Sequence, residues 1–383
     1  MSKKITFTIL SISLLTVMAG AAVAPALGTI QQHFCNSPVT LIRFIVSIPA
    51  LFIIMVNLLF PVVAKVLRTR TIALIGLGVY VVCGMGAFFA NNIGVLLILR
   101  ALTGMSVGLL MPLSTGLLAY YNPPERMAGL MGLSAAMNQM GGVVSTLLAG
   151  LLATISWNYA FLVYGLGLIA VVLVVCHLPN EHLSGNRQES VRPLDRIKAC
   201  HSLIVEMVLC MGLFFVFVSN FSITERDSFS AMQITGLMMG VDFVALFVGL
   251  LFGRMMKSLS KVIRFLPPTA YLIAFMLLSA PHGLFATITA LVLIGLANGV
   301  GVPYLNTAAS IKGGKDSVSQ IMPIMSAALY FGQFASPLVI GLISSYLPAI
   351  AMGPYGTAII FSIIYLLYAV SLSRKARNRD LRR

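Results

Sequence analysis

The stretch PNEHLSGNRQESVRPLDRIKAC, from Pro179 to Cys200, decides how this chain is divided. It is a long polar segment close to the middle of the 383 residues, with six long apolar runs before it and six after it. A helix of roughly 20 apolar residues crosses a bilayer, and each run has about that length. The sequence therefore predicts two membrane-embedded bundles of six helices, residues 1–178 and 201–383, joined by a cytoplasmic linker at 179–200. The second bundle ends in a basic cytoplasmic tail.

Composition excludes an ordinary soluble domain. Hydrophobic residues make up 59% of the chain and charged residues only 9%, whereas soluble domains carry roughly 25% charged residues. The predicted fold class is therefore an all-α integral membrane protein of twelve transmembrane helices in two pseudo-symmetric bundles. The predicted spans are 6–27, 41–63, 72–90, 94–119, 127–152, 158–178, 201–223, 230–252, 265–281, 284–309, 317–345 and 352–372.

The positions of the basic residues give meaning to the net charge of +15. With the amino terminus in the cytoplasm, the inner segments hold 22 of the 25 lysines and arginines, and only Arg43, Arg100 and Arg226 lie elsewhere. This asymmetry follows the positive-inside rule and predicts that both termini are cytoplasmic. It favours a multi-pass protein of the inner cell membrane over a nucleic-acid-binding protein.

The two halves repeat each other at nearly constant offsets. At an offset of 192 or 191 residues, Phe60, Lys65 and Leu67 recur as Phe252, Lys257 and Leu259, and Gly104, Gly108 and Pro112 recur as Gly295, Gly299 and Pro303. Two parallel repeats are the arrangement of a secondary transporter whose cargo site lies near the bilayer midplane, between the halves.

Several motifs carry a family resemblance. They are Arg100 with Gly104 and Gly108 in span 4, Glu125-Arg126 before span 5, and Tyr330-Phe331-Gly332-Gln333 with Pro337 and Gly341 in span 11. With the 6+6 layout, they make the chain resemble the major facilitator superfamily, and within it the bacterial twelve-helix drug/proton antiporters. The resemblance implies alternating access and ties Arg100 to proton coupling. The chain departs from the family at Lys65, where an acidic residue is usual, and at Gly141-Gly142, which lack the Gly-Pro pair of the antiporters.

Three charged residues are candidates for proton coupling. Asp242 stands 12 residues into span 8, about 18 Å along a helix, and an intramembrane carboxylate indicates function. Arg100 is a permanent cation that could tune such a carboxylate. Glu206 is a second candidate proton site. The alternatives are a structural hydrogen bond or ion pair for Asp242, a cap on backbone carbonyls for Arg100, and simple reach to the cytoplasmic interface for Glu206.

Polar residues inside the spans are candidates for binding a substrate. Each needs a partner within lipid, and hydrogen bonds between helices are the alternative explanation. The candidates are Asn57, Asn138, Gln139, Asn220, Asn298, Tyr304, Asn306, Tyr330 and Gln333.

Charged residues at the inner ends of the spans predict a cytoplasmic gate. It comprises Lys65, Arg68, Arg70, Glu125, Lys257 and Asp316. Because Lys65 and Lys257 are related by the repeat, as are Glu125 and Asp316, we expect Lys65 to pair with Asp316 and Lys257 with Glu125 when the inner side is closed. Helix caps and topology signals are the alternative.

The predicted function is secondary active transport, with proton-coupled efflux of small hydrophobic or amphipathic compounds, including drugs, as the first hypothesis. A proton-linked transporter of a metabolite such as a sugar or organic anion, and a membrane sensor that transports nothing, remain alternatives. No nucleophile, base and acid come together as in an enzyme. We expect no cofactor, no metal site and no nucleic-acid partner, and we expect a monomer that interacts with the bilayer, a small-molecule substrate and protons.

Overall fold

The computed structural model describes residues 3–121, 124–181, 193–259, 262–280, 283–313, 321–346 and 353–380. All regular secondary structure in these ranges is helical, and they contain no strand. The predicted all-α class is therefore confirmed.

The helices follow the predicted spans closely. The α-helices are α1 (Lys3–Ala21), α2 (Leu27–His33), α3 (Val39–Val66), α4 (Thr69–Gly86), α5 (Ile93–Tyr121), α6 (Pro124–Ala153), α7 (Gly167–His177), α8 (Pro193–Thr224), α9 (Ala231–Leu259), α10 (Leu266–Ser279), α11 (Leu284–Gly313), α12 (Met322–Tyr346) and α13 (Gly353–Asp380). Short 3-10 helices at Ala24–Ala26, Ala87–Phe89, Trp157–Leu166 and Ile263–Phe265 extend or join them.

Length and hydropathy support a multi-pass membrane protein. In the described part of the chain, eleven helical segments are long and apolar enough to cross a membrane, and the shorter apolar segment Ile263–Ser279 adds a twelfth. The first segment runs over Lys4–His33, beyond its predicted end at residue 27. It is longer because the 3-10 turn at Ala24–Ala26 continues helical structure into α2.

Contacts between residues divide the chain into two compact units. The first comprises Met1–Arg187 with Ser219–Met239, and the second comprises Gln188–Val218 with Gly240–Arg383. Ser219–Met239 belongs to the first unit through contacts such as that of Ser222, whose Oγ donates a hydrogen bond to the Pro25 carbonyl at 2.6 Å. The division at 179–200 into two six-helix bundles stays a prediction.

The same glycine-mediated helix crossing occurs in both units. In the first, α5 meets α3 where Gly104 faces the Pro49 carbonyl, too closely for any Cβ. In the second, α11 meets α9 where a Cβ on Gly295 would lie 2.8 Å from the Val241 carbonyl oxygen. Gly108 and Gly299 repeat the contact one turn further on, against Ile53 and Ala245 respectively. The sequence repeat is thus a repeat of backbone contacts, since small residues let membrane helices approach closely.

Candidate functional site

Arg100 connects several helices inside the first unit. Its residue is 1% exposed. The Nε atom donates to the Ile45 carbonyl on α3 at 2.7 Å, and Nη2 donates to the Ala19 carbonyl on α1 at 2.6 Å. Nη1 donates to the hydroxyl of Tyr164, on the 3-10 segment that leads into α7. One guanidinium therefore holds four parts of the unit together.

Neutral groups surround this buried cation. The Tyr164 hydroxyl also donates to the Ala19 carbonyl at 2.8 Å, and the Tyr164 ring centroid lies 5.8 Å from the Arg100 Cζ atom. Among the described residues, no carboxylate forms a salt bridge with Arg100. Its contacts are those of a cap on backbone carbonyls, and its role in proton coupling stays a prediction.

Glu206 on α8 forms a buried ion pair in the second unit. Its Oε1 atom accepts hydrogen bonds from Arg264 Nε at 2.9 Å and Nη2 at 2.8 Å. The Glu206 side chain is 1% exposed and that of Arg264 is 19% exposed. Glu206 Oε2 is also buried and has no hydrogen-bond partner among the described residues. The pair joins α8 to the 3-10 turn that precedes α10.

Tyrosines on two further helices interact electrostatically with the pair. Tyr304 on α11 and both Tyr365 and Tyr368 on α13 interact electrostatically with Glu206 and Arg264. Cys210, one turn along α8, also interacts with Glu206. Polar groups on α8, α11 and α13 thus interact with the carboxylate, while its Oε2 atom is buried without a hydrogen-bond partner among the described residues.

Sequence reasoning missed Arg264 as the partner of Glu206. The arginine belongs to a basic inner segment, which by itself is a topology signal. The two residues lie 58 positions apart, and no local spacing connects them. The available signal was an acid and a base near the inner ends of spans 7 and 9.

Asp242 lies half-buried on α9. Its neighbour Val241 supplies the carbonyl that faces Gly295 at the crossing with α11. Asp242 is thus next to a close crossing of two helices in the second unit. Its role in proton transfer stays a prediction.

The structure brings a few of the polar candidates into contacts. Asn138 accepts a hydrogen bond from Thr16 Oγ1 at 3.3 Å, close to the Ser134–Ser13 hydrogen bond at 2.9 Å. This polar seam joins α6 to α1. Tyr304 belongs to the surroundings of Glu206, as described above.

For the other polar candidates, the structure shows mainly their burial. Asn220 is buried and donates to Ser219 Oγ at 3.1 Å. The Oδ1 atoms of Asn57 and Asn298 are buried without a hydrogen-bond partner in the described ranges. The remaining four are half-buried on their helices: Gln139, Asn306, Tyr330 and Gln333. Substrate binding by this set stays a prediction.

Arg70 and its neighbour Thr69 hold the start of α4 within the first unit. Arg70 Nη2 donates to the Val175 carbonyl on α7. Thr69 Oγ1 donates to the Pro179 carbonyl at 2.9 Å, and the Thr69 amide donates to the Glu181 carbonyl at 2.9 Å. Sequence analysis did not identify Thr69, although a threonine between two arginines at a helix start was an available signal.

The predicted gate pairs fall largely outside the described part of the structure. Arg68 and Lys257 are exposed. Asp316 and the side chains of Lys65 and Glu125 lie outside the described residues. The pairs Lys65–Asp316 and Lys257–Glu125 therefore stay predictions.

The sequence of the chain is similar to those of known membrane transport and resistance proteins. The sequence model of the Major Facilitator Superfamily matches residues 9–337. The quinolone resistance protein NorA of Staphylococcus aureus strain MSSA476 is 29% identical over 212 residues, which cover 52% of this chain and 54% of NorA. The chain thus spans about half the length of this curated relative. Sialin of Ovis aries is 33% identical over 87 residues, which cover 22% of this chain and 18% of sialin.

Solved structures share the fold over nearly the whole chain. The nucleoside transporter NupG superposes with a TM-score of 0.77 at 12% identity, covering 97% of this chain and 99% of that chain. The xylose transporter XylE from E. coli, in a partially occluded inward-open conformation, gives a TM-score of 0.75 at 14% identity, covering 97% of both chains. At such identities the likeness concerns the fold alone.

Proposed function

Because the chain belongs to the major facilitator superfamily, we propose that this membrane transporter exports small hydrophobic or amphipathic compounds, drugs among them, in exchange for protons. The similarity to NorA supports export, since the name of that relative refers to resistance to a drug class. Removal of a compound from the cell is the simplest way for a transporter to confer such resistance.

The Glu206–Arg264 pair is the observation that supports proton coupling. Glu206 uses Oε1 for both hydrogen bonds from Arg264, and Oε2 has no partner in the described structure. A proton can therefore bind Oε2 while the contact at Oε1 remains in place. We assign Glu206 as the first candidate proton site and keep Asp242 as the second.

Protonation of Glu206 would change the charge of its cluster from zero to plus one. A buried ion pair is stabilised mainly by the mutual compensation of its charges, so a neutral Glu206 holds Arg264 less strongly. Arg264 is 19% exposed and can move its guanidinium toward the interface, as long basic side chains do near helix ends. Proton binding is thereby linked to the contact between α8 and the turn before α10.

The contacts of Arg100 argue against the organic-anion alternative. Arg100 is 1% exposed, and three of its five guanidinium N–H groups already donate to Ile45, Tyr164 and Ala19. Arg100 therefore fits a structural role within the first unit better than a role as a substrate ligand.

The test is proton flux in proteoliposomes that contain the purified chain. Lipophilic cations, sugars and organic acids are added in turn to wild type, Glu206→Gln and Asp242→Asn while the internal pH is recorded. We expect flux with lipophilic cations, at least tenfold weaker in Glu206→Gln and largely retained in Asp242→Asn. Glu206→Gln keeps the shape of the side chain and removes its proton-binding capacity.

Other outcomes would redirect the proposal. Flux that survives in Glu206→Gln and disappears in Asp242→Asn would move the proton site to α9. A response only to sugars or organic acids would favour the metabolite transporter. Absence of flux with every solute, in protein shown to be folded, would favour the membrane sensor.

The proposal also includes a topology and an oligomeric state. The excess of basic residues in the inner segments supports cytoplasmic termini in the inner cell membrane, and we propose that the transporter acts as a monomer. A protease-cleavable tag at either end, digested in inverted but not in right-side-out vesicles, would support the topology, and the reverse pattern would refute it.

A further inference from the structure

A cavity lies within the second unit, between α8, α12 and α13. Its enclosed part measures about 80 Å³, and the cavity is open at its mouth. Its lining is almost entirely apolar, with residues such as Val208, Val216, Val339 and Phe361. An apolar lining with a small number of placed polar groups is typical of small-molecule sites.

Two glycines, Gly212 on α8 and Gly332 on α12, belong to the lining of the cavity. A Cβ on Gly332 would lie 2.6 Å from the Val208 carbonyl oxygen, so glycine is needed for this close approach. A Cβ on Gly212 would meet only the Gly332 carbonyl oxygen, at 3.7 Å, which is an ordinary contact. A Cβ at position 212 therefore fits, and a side chain there would start from the wall of the cavity.

Two buried hydroxyl groups belong to the wall of this cavity. Ser336 on α12 is 6% exposed and Thr357 on α13 is 1% exposed. Neither hydroxyl has a hydrogen-bond partner among the described residues. Serine and threonine in helices usually donate to a carbonyl one turn earlier, as Ser362 on α13 does to Ala358 at 2.8 Å. Ser336 and Thr357 depart from this pattern at the cavity, where a buried polar group without a partner is costly.

We propose that this cavity binds a small amphipathic molecule with an aliphatic body and one hydrogen-bonding head group, such as a medium-chain alcohol. The body would occupy the apolar space beside Gly212, and the head group would exchange hydrogen bonds with Ser336 and Thr357. All lining residues belong to the second unit, so the site does not depend on contacts with the first.

The site is independent of the proposed proton coupling. On α8 the cavity uses positions 208, 209, 212, 213 and 216, which follow one helix face. Glu206 and Cys210 lie on the neighbouring face. Binding at the cavity can therefore be measured whether or not Glu206 carries a proton.

The test uses a medium-chain alcohol that carries a diazirine, photolysed with the purified full chain in lipid nanodiscs. Adducts are mapped by mass spectrometry. We expect them on residues of the cavity wall, and we expect competition by the unlabelled alcohol but not by the alkane of equal length. In Ser336→Ala/Thr357→Val, labelling affinity should fall about tenfold because two hydrogen bonds are lost. Gly212→Leu should abolish labelling by filling the space.

Controls separate this site from general partition into lipid. Ser362→Ala removes a hydroxyl from the same helix that is already hydrogen-bonded, and its labelling should equal that of wild type. Each variant must keep the elution profile and melting temperature of wild type to be compared. Equal competition by the alkane, adducts outside the cavity, or unchanged labelling in both the double variant and Gly212→Leu would overturn the proposal. A parallel series in detergent, with the alcohol added to water, distinguishes supply from the aqueous phase from supply through the bilayer.

Discussion

The two units bury charge in different ways. In the first unit, Arg100 is surrounded by backbone carbonyls and a tyrosine hydroxyl. In the second unit, Arg264 is paired with the carboxylate of Glu206. Both arginines hold helices together, but only the second belongs to a cluster whose net charge a proton can change. An arginine keeps its charge at all accessible pH values, so the cluster around Arg100 has a constant charge.

The two units share a close, glycine-mediated crossing of helices. The crossing at Gly104 and the crossing at Gly295 bring a glycine against a carbonyl of the neighbouring helix at repeat-related positions. The difference between the units therefore resides in side chains rather than in the helix framework. It supports the proposal that Arg100 is a fixed connection, whereas the Glu206–Arg264 pair responds to protons.

Arg100→Ala should have the largest effect on stability. It leaves two buried carbonyls and a tyrosine hydroxyl without their charged donor. Hydrogen bonds to charged groups contribute about 1.5–3 kcal/mol each, and we expect the low end of the sum, about 4–5 kcal/mol, because the Ala19 carbonyl keeps its hydrogen bond from Tyr164. Arg100→Lys should recover only part of the lost stability, since one ammonium group cannot reproduce the planar arrangement of donors in the guanidinium. Unfolding of the purified protein in detergent measures the effect.

The matched control for Arg100 is Arg226→Ala in the same unit. Arg226 is about one-third exposed and contacts Gln31 at 3.3 Å, so its loss should cost under about 1 kcal/mol. Equal stability of Arg100→Ala and Arg226→Ala would show that the buried cation is not the fixed connection that its contacts indicate.

Arg264→Gln should have the second-largest effect, lowering the free energy of unfolding by about 3 kcal/mol. The substitution leaves the Glu206 carboxylate buried without its charge partner, which is strongly destabilising. Glu206→Gln should cost less, since Arg264 is partly exposed. In the double variant we expect a coupling energy of about 1–3 kcal/mol. Strict additivity of the two single losses would mean that the pair contributes no mutual stabilisation.

Gly104→Ala and Gly295→Ala test the framework that the units share. Each added methyl group would meet a carbonyl of the neighbouring helix, and overpacking of this kind typically costs 1–3 kcal/mol. We expect similar losses of melting temperature for the two variants. Gly249→Ala is the control, because nothing lies within 4 Å of its added Cβ. A loss confined to one of the two crossings would contradict a shared framework.

The fold could be predicted from the sequence because hydropathy alone determines which segments enter a bilayer. The span predicted at 41–63 corresponds to α3, Val39–Val66, and the repeat of Gly104 as Gly295 marks equivalent crossings. Such glycines recur at equivalent positions of the two halves of the sequence, because a side chain would not fit at the crossing. Helix ends were less predictable, as the extension of the first span to His33 shows.

The candidate site could be predicted only in part. Arg100, Glu206 and Tyr304 were selected because polar side chains in a membrane need a reason to be there. Their partners depend on how each helix is rotated about its axis, and this rotation is set by packing across the whole unit. For that reason Arg264 was classed with the topology signals, and the Ile45 and Ala19 carbonyls that hold Arg100 had no signal at all.

The smallest expected effect distinguishes the two clusters through their tyrosines. Tyr164→Phe removes one acceptor for Arg100 and one donor to Ala19, and should lower stability by about 2 kcal/mol without changing the pH profile of transport. Tyr304→Phe should leave stability within about 0.5 kcal/mol and change that pH profile, because Tyr304 interacts electrostatically with Glu206 and Arg264. Both substitutions delete a single hydroxyl. Different effects on stability and on the pH profile of transport would therefore come from the surroundings of the tyrosine and not from the substitution itself. If Tyr164→Phe altered the pH profile as much as Tyr304→Phe did, the fixed and the titratable roles could not be assigned to separate units.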